Sequence, residues 1–345
     1  MRVRNWSVAL LALSLTAAAC AGGGETAQEP TTALQEEPTT TPAEEPTTAA
    51  GEETTTTAGE AEAQADWPDR LVLGLVPSRE ADVLVENAQP LTDFLSQELG
   101  IPVEGFVPQD YTGLIEAMGA GQADIGLFGP FAAVLAMQRY QVEPILISVR
   151  FGSEVYRGQW FTNDPSVCEG EPEEDEDGLL SCEGPVTAVE GNTVAFTDQT
   201  STSGFLFPAL QLIENGIDPE AGIEPLFTGG HDAAVIAVYQ GDAQFGVSFE
   251  DARTTVQEEF PDVGQQVIVF NYTEEIPNDG VTVRNELPDD LKEAIKDALL
   301  SYAETEEGQE VLNSIYEIDG FAEVSPGVYD VVERAYNQLQ DQIEI

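Results

Sequence analysis

The chain has 345 residues with 64 acidic against 12 basic side chains, a formal net charge of −52. A surface of that sign repels nucleic acid and anionic lipid, which excludes both as expected partners. The same field works against the capture of any anion, unless salt shortens its reach to about 3 Å, as at molar ionic strength.

Residues 1–20 read as a secretion signal: Arg2 and Arg4, an apolar run from Val8 to Leu15, then Ala17, Ala18 and Ala19 ahead of Cys20. The run is too short to span a bilayer. A cysteine directly after small residues resembles a bacterial lipobox, in which Cys20 is lipidated and becomes the mature N-terminus. Alanine stands three positions before it, where leucine is usual, and a plain secreted protein is the alternative. Residues 21–66 are Gly, Thr, Glu, Pro and Ala with almost no large apolar side chain, so no core offsets their ordering entropy. They are expected to form a disordered acidic tether that holds a domain off a membrane surface. Residues 67–345 remain, long for one core and comfortable for two lobes.

From there, short apolar runs alternate with helical periodicity, the pattern of an α/β architecture. Leu71–Val76 reads as a strand, and Val83, Ala88, Leu91, Leu95 and Leu99 as a helical stripe ending at Gly100. Pro102–Val107 is a second strand, Tyr111–Met118 a helix and Ala123–Phe128 a strand. Phe131–Met137 is a helix introduced by Gly129 and Pro130. Pro144–Val149 and Gln159–Phe161 follow as strands. Cys168 and Cys182, left over in an exported chain, read as one disulfide around an acidic loop too polar to fold alone. The spacing of its acids lacks the ordered pattern and the glycine of a calcium loop, and no metal is expected. Thr193–Phe196 opens a second α/β series running to Val267–Phe270. The last third, Pro288–Tyr302, Thr305–Ile315 and Val328–Ile343, reads as helical. The expected lobes are about 67–160 with 275–345, and about 161–274.

Two segments carry chemistry. Thr200-Ser201-Thr202-Ser203-Gly204 crowds hydroxyl donors ahead of the helix-like run Phe205–Ile213, and Gly229-Gly230-His231-Asp232 places the single histidine at the opening of another helix. A helix N-terminus offers unsatisfied N–H groups and partial positive charge, so the two openings could share one tetrahedral oxyanion. Ordinary capping explains each segment taken alone. No Arg or Lys falls within either segment, so hydrogen bonds and helix termini are expected to stabilise the anion.

In the family's order, Asp110-Tyr111-Thr112-Gly113-Leu114-Ile115-Glu116-Ala117, Asp124-Ile125-Gly126-Leu127-Phe128-Gly129-Pro130-Phe131, Ser201-Thr202-Ser203-Gly204, Gly230-His231-Asp232-Ala233 and Ile276-Pro277-Asn278-Asp279 resemble the phosphate, phosphite and phosphonate-binding proteins of bacterial ABC importers. The resemblance runs from Leu71 to about Tyr336. It implies a type II periplasmic-binding-protein fold, two α/β lobes with a hinge and a ligand cleft between them, in a monomer without cofactor or catalytic residues. It implies that Ser201, Thr202, Ser203 and His231 hold the phosphonyl oxygens, that Tyr111 closes over the ligand from the opposite lobe, and that an ABC permease is the partner. Where such proteins bind an aminoalkylphosphonate, acidic and aromatic side chains surround the ammonium; the matching positions are Tyr156, Asp251 and Asp279. Asp251 falls where the aminophosphonate binders carry glutamate, one methylene longer. The Cys168–Cys182 insertion, Gly280 and the overall acidity also depart from the pattern. Two other readings are a hydrolase using Ser203, His231 and Asp279, and a receptor for an amino acid or sulfonate, which calls for an arginine such as Arg150, Arg157 or Arg253.

Overall fold

The computed structural model describes residues 66–340. Its strands are β1 (Leu71–Leu75), β2 (Val103–Phe106), β3 (Ile125–Phe128), β4 (Val142–Val149), β5 (Val155–Thr162), β6 (Glu173–Glu174), β7 (Leu180–Ser181), β8 (Thr193–Phe196), β9 (Glu224–Phe227), β10 (Phe245–Phe249), β11 (Ile268–Pro277), β12 (Gly280–Arg284) and β13 (Gly320–Glu323). Its helices are α1 (Ala81–Leu99), α2 (Tyr111–Gly119), α3 (Pro130–Arg139), α4 (Phe207–Glu214), α5 (His231–Gln240), α6 (Val263–Gln266), α7 (Asp289–Ala303), α8 (Glu306–Tyr316) and α9 (Asp330–Gln340).

The strands form two sheets, one per lobe. The first runs β13-β4-β12-β3-β1-β2, with β1 parallel to β2 and β3; the second runs β6-β7-β11-β5-β10-β8-β9, with β8 parallel to β9 and β10. Central strands such as β1 and β3 are apolar because helices cover both faces, so a near-continuous hydrophobic run is what parallel pairing needs. On α1 the buried Leu84, Ala88, Leu91, Leu95 and Leu99 form the stripe that seats the helix on the sheet, and Gly100 closes it at φ 69 in the left-handed region.

The chain crosses between lobes at 150–154 and at Asn278–Asp279. The expected boundary at residue 160 is therefore corrected: it falls inside β5, whose whole length pairs antiparallel with β10 and β11 of the second sheet. The two crossings are tied together by buried Asn278, whose Nδ2 donates to the carbonyls of Ser148 (3.0 Å) and Ser153 (2.7 Å). The segments expected to be helical in the last third are so, as α7, α8 and α9, while β12 before them and β13 between α8 and α9 pair with β3 and β4 in the first sheet. Helices α7 and α8 return to the first lobe, where they pack on α1, and α9 packs on α3 of the first lobe and α4 of the second. The calls on Cys20, the signal, the tether and residues 341–343 lie outside the described residues.

Cys168 and Cys182 are bonded, Cα atoms 5.6 Å apart. Inside their loop, β6 and β7 pair antiparallel, Asp175 Oδ1 accepts from the backbone N–H groups of Asp177 and Leu179, and Leu179 is buried. The loop thus gains order from its one apolar anchor and from β7 joining the edge of β11. Replacing both cysteines by serine is expected to lower unfolding free energy by about 3 kcal/mol, the chain-entropy cost of releasing a loop of this length. Chemical denaturation measures this, and ligand affinity should not move, because the loop lies outside the cleft.

Candidate functional site

The second lobe supplies an unusual helix opening. From Thr202 to Leu206 the backbone is a π-helix: the Leu206 N–H donates to the Ser201 carbonyl five residues back (3.0 Å), and α4 follows. Ser201 Oγ accepts from the Gly204 N–H at 3.1 Å. A Cβ on Gly204 would lie 1.9 Å from Thr197 Oγ1, so only glycine allows this packing. The expected helix-like run Phe205–Ile213 is met by the end of the π-helix and by α4, and the wide turn leaves the first N–H groups of the opening without intrahelical partners.

Three such openings converge: the π-helix, α5 at His231, and α3 at Gly129 in the first lobe. The lobes are closed on one another there. The Phe131 N–H donates to Thr202 Oγ1 (2.9 Å), the His231 N–H to the Ser78 carbonyl (2.8 Å), and the Glu80 N–H to Asp232 Oδ2 (3.2 Å). Between them lies a small cavity. Ser201, Thr202, Ser203, His231, Tyr111, Tyr156 and Asp279 all line it; Asp251 does not, and instead lines an adjoining chamber.

Sequence reasoning named one of the cavity's two arginines, Arg150, for an amino-acid or sulfonate ligand, and missed Arg79. Arg79 follows β1, Arg150 follows β4, and both reach Glu317 at the end of α8, Arg79 at 3.3 Å and Arg150 in a closer pair. Glu317 holds this position at φ 57, a left-handed conformation that costs an L-residue about 1–2 kcal/mol. The buried Arg150 guanidinium also lies over Phe249, 4.9 Å from the ring centroid. One signal existed: Arg150 directly follows β4, and Arg79 lies in the loop beyond the carboxyl end of the parallel strand β1, where α/β folds place ligands.

Burial sets the protonation states. It holds His231 down at about 3, helped by the positive Arg150 and Arg79, so the ring is neutral; its Nδ1 lies 2.7 Å from Ser248 Oγ. Burial pushes Asp279 up from 3.8 to about 6, with Arg150 opposing and Glu317 adding to the rise. Burial likewise raises Tyr111, Tyr156 and Tyr316, all neutral donors; Tyr156 Oη donates to Ser203 Oγ at 3.3 Å and Tyr316 Oη to the Val76 carbonyl at 2.6 Å.

The hydrolase triad does not assemble, since the hydrogen bond of His231 goes to Ser248 and that of Ser203 comes from Tyr156. Arg157 and Arg253 are turned away from the cavity: Arg157 pairs with Glu250 at 2.5 Å and Arg253 donates to the carbonyls of Leu180 and Val267. Among the described residues no group of three His, Cys, Asp or Glu is placed to hold a metal, and no helix is long and apolar enough to cross a membrane.

The reluctance of buried Asp279 to ionise has a stability consequence. The folded state keeps the proton up to about pH 6 while the unfolded chain releases it near 3.8, so stability is lost as pH rises through that window. Asp279→Asn removes the penalty: its advantage over the native protein is expected to grow by on the order of 3 kcal/mol between about pH 4 and pH 7.5, read by denaturant melts at both.

Residues 73–329 match the family model described as "ABC transporter, phosphonate, periplasmic substrate-binding protein". The phosphate-import protein PhnD of Mycolicibacterium smegmatis is 31% identical over 194 residues, 53% of this chain and 56% of that protein, so the match spans little more than half of the relative. The phosphonates-binding periplasmic protein of Escherichia coli is 23% identical over 71% of this chain and 70% of its own. The methylphosphonate complex of PhnD1 from Prochlorococcus marinus shares the fold with a TM-score of 0.68 at 19% identity, covering 80% of this chain and all of that one. The binding-protein component of an ABC phosphonate transporter from Pseudomonas aeruginosa does so with the same TM-score at 21% identity, over 80% of this chain and 88% of its own. With two sheets closed on an oxyanion-sized cavity and a family match over most of its length, the chain belongs to the periplasmic substrate-binding proteins of ABC phosphonate transporters.

Proposed function

We propose that this protein captures a phosphonate, phosphite or phosphate oxyanion outside the cytoplasm and delivers it to the permease of an ABC importer, working as a monomer held to the outer face of the membrane by lipid at Cys20. The observation that carries the reading is the convergence of Ser201, Thr202, Ser203 and His231 with Arg79 and Arg150 on one closed cavity.

The chemistry follows from the geometry. Arg79 and Arg150 share one carboxylate, so the trio keeps one net positive charge beside the anion. To serve a ligand oxygen the neutral His231 ring must carry its proton on Nε2, the tautomer in which Nδ1 accepts from the Ser248 hydroxyl. The hydroxyls and unspent N–H groups at the π-helix supply further donors, each strengthened by the charge it serves. Asp279, ionised above about pH 6, is the one acceptor. A phosphorus oxyanion that retains a proton can donate to it, whereas a sulfonate has none to give and would set like charges together. Closure about the hinge at 150–154 and Asn278 completes the donor set.

Arg79 and Arg150 are also what the amino-acid reading requires, and a carboxylate could approach them. Their engagement by Glu317 and the surrounding hydroxyls favour the tetrahedral anion instead. Calorimetry of the purified protein against phosphate, phosphite, methylphosphonate, 2-aminoethylphosphonate, sulfate, an alkylsulfonate and an amino-acid panel decides between them. Binding of at least one phosphorus compound without binding of the sulfur compounds is expected. Ser203→Ala should weaken it by about tenfold to a hundredfold, the range for one hydrogen bond to a charged group, while Arg157→Ala leaves it unchanged. Binding of amino acids alone overturns the reading.

A further inference from the structure

Three helices of the first lobe, α1, α2 and α3, begin just beyond the carboxyl ends of the parallel strands β1, β2 and β3, so their N-termini gather along one edge of the cleft. A helix start needs acceptors for backbone N–H groups that have no partner within the helix, and side chains of the same segment normally supply them. Two of the three starts lack such acceptors. Glu80 and Gly129, the residues preceding α1 and α3, make no side-chain cap, and the third residue of α1, where an acid would reach back to the Glu80 N–H, is Val83. On α2, Asp110 serves the Gly113 N–H at 2.7 Å and leaves the Tyr111 N–H to others.

The second lobe supplies what is missing. Asp232 Oδ2 accepts from the Glu80 N–H at 3.2 Å, Thr202 Oγ1 accepts from the Phe131 N–H at 2.9 Å, and Asp198 Oδ2 lies 3.5 Å from the Tyr111 nitrogen. Both carboxylates are held in place from their own lobe. Asp198 Oδ1 accepts from the N–H and the hydroxyl of Thr200, each at 2.7 Å, and Asp232 Oδ1 accepts from the Ala233 N–H at 2.7 Å. A Cβ on Gly230 would stand 2.6 Å from Asp232 Oδ1 and 3.3 Å from the Ser78 carbonyl, so glycine there makes room for the carboxylate and for the opposite lobe. In each acid one oxygen is fixed within its own lobe and the other faces a helix start across the cleft. Neither Asp198 nor Asp232 lines the oxyanion cavity.

Negative charge at a helix N-terminus is favourable, and in a chain of net charge −52 two lobes otherwise repel each other. Resting on the receptor reading above, we propose that Asp198 and Asp232 are positioning residues that set affinity: each caps a helix of the opposite lobe only in the closed state, and together they latch the lobes without touching the ligand. A contact present only in the closed state adds to the binding of any ligand which that state encloses. It acts on escape, because the latch must break before the ligand leaves.

Small-angle scattering and stopped-flow kinetics on the full chain test this, with phosphate, phosphite and methylphosphonate as probes. Asp198→Asn and Asp232→Asn preserve shape; the amide keeps the oxygen that its own lobe fixes and turns a donor toward the helix start. Without ligand, the double variant is expected to have a larger radius of gyration than the native chain, and saturating ligand should return it to the native liganded value, which shows the fold intact. Each single variant should speed dissociation by about threefold to tenfold, the scale of one charge at a helix N-terminus, by the same factor for every probe that binds and with association no slower. Unchanged scattering with unchanged dissociation overturns the latch, and so does a loss of affinity that lies in association or differs between probes. Should the double variant fail to fold, the dissociation rates of the single variants make the same decision. Silence of the native chain toward all three probes overturns the receptor reading, while scattering of the unliganded variants still decides the latch.

Discussion

The shared ion pair of Arg79, Arg150 and Glu317 is the interaction on which the cleft depends. Desolvating an oxyanion costs several kcal/mol, and hydrogen bonds from neutral groups offset that only in part. Two free arginines would over-neutralise a monoanion and hold each other apart. Glu317 removes one charge and fixes both guanidiniums, so the cavity offers one unit of positive charge in a set position. The same field explains why a fully buried histidine stays neutral and why Asp279 does not rise further than about 6.

The shared pair also joins structure to motion. Arg150 ends β4 at the very point where the chain leaves the first lobe, and Glu317 comes from the first lobe's C-terminal segment. Asn278, at the second crossing, binds carbonyls on both sides of the first crossing. The charge that meets the ligand is thus built into the hinge region, while the hydroxyl and imidazole donors arrive on the other lobe. Bringing the lobes together assembles the site, and separating them dismantles it without moving any residue within its own lobe.

Most of the secondary structure was legible because each signal was local: the stripe on α1 and Gly100 after it, Pro130 opening α3, and the hydroxyl run before α4. That Ser201–Ser203 and His231 open helical segments was legible for the same reason. What was not legible was set by distance. Glu317 lies 167 residues from Arg150, and no pattern in sequence pairs them. The lobe boundary was missed because the first crossing is only five residues, 150–154, too short for Gly152 and Ser153 to stand out as a linker. Strands β12 and β13 are short, and β13 sits between helices, so their pairing with β3 and β4, not their sequence, makes them strands. The π-helix required a close contact, Gly204 against Thr197, that sequence cannot display.

The net charge of −52 sets the remaining constraint. An anion approaching this surface is repelled at long range, so electrostatic steering cannot be how the protein gathers its ligand. The cavity answers with short-range terms: fixed dipoles of three helix openings, hydroxyls within hydrogen-bond reach and a single net positive charge under low-dielectric cover, all of which salt screens weakly once the lobes are shut. The repulsion outside, in contrast, is what salt removes most readily. Surface and cavity therefore respond to ionic strength in opposite measure, and a protein so built loses little of its bound-state affinity in concentrated salt while its ligand meets a lower barrier on the way in.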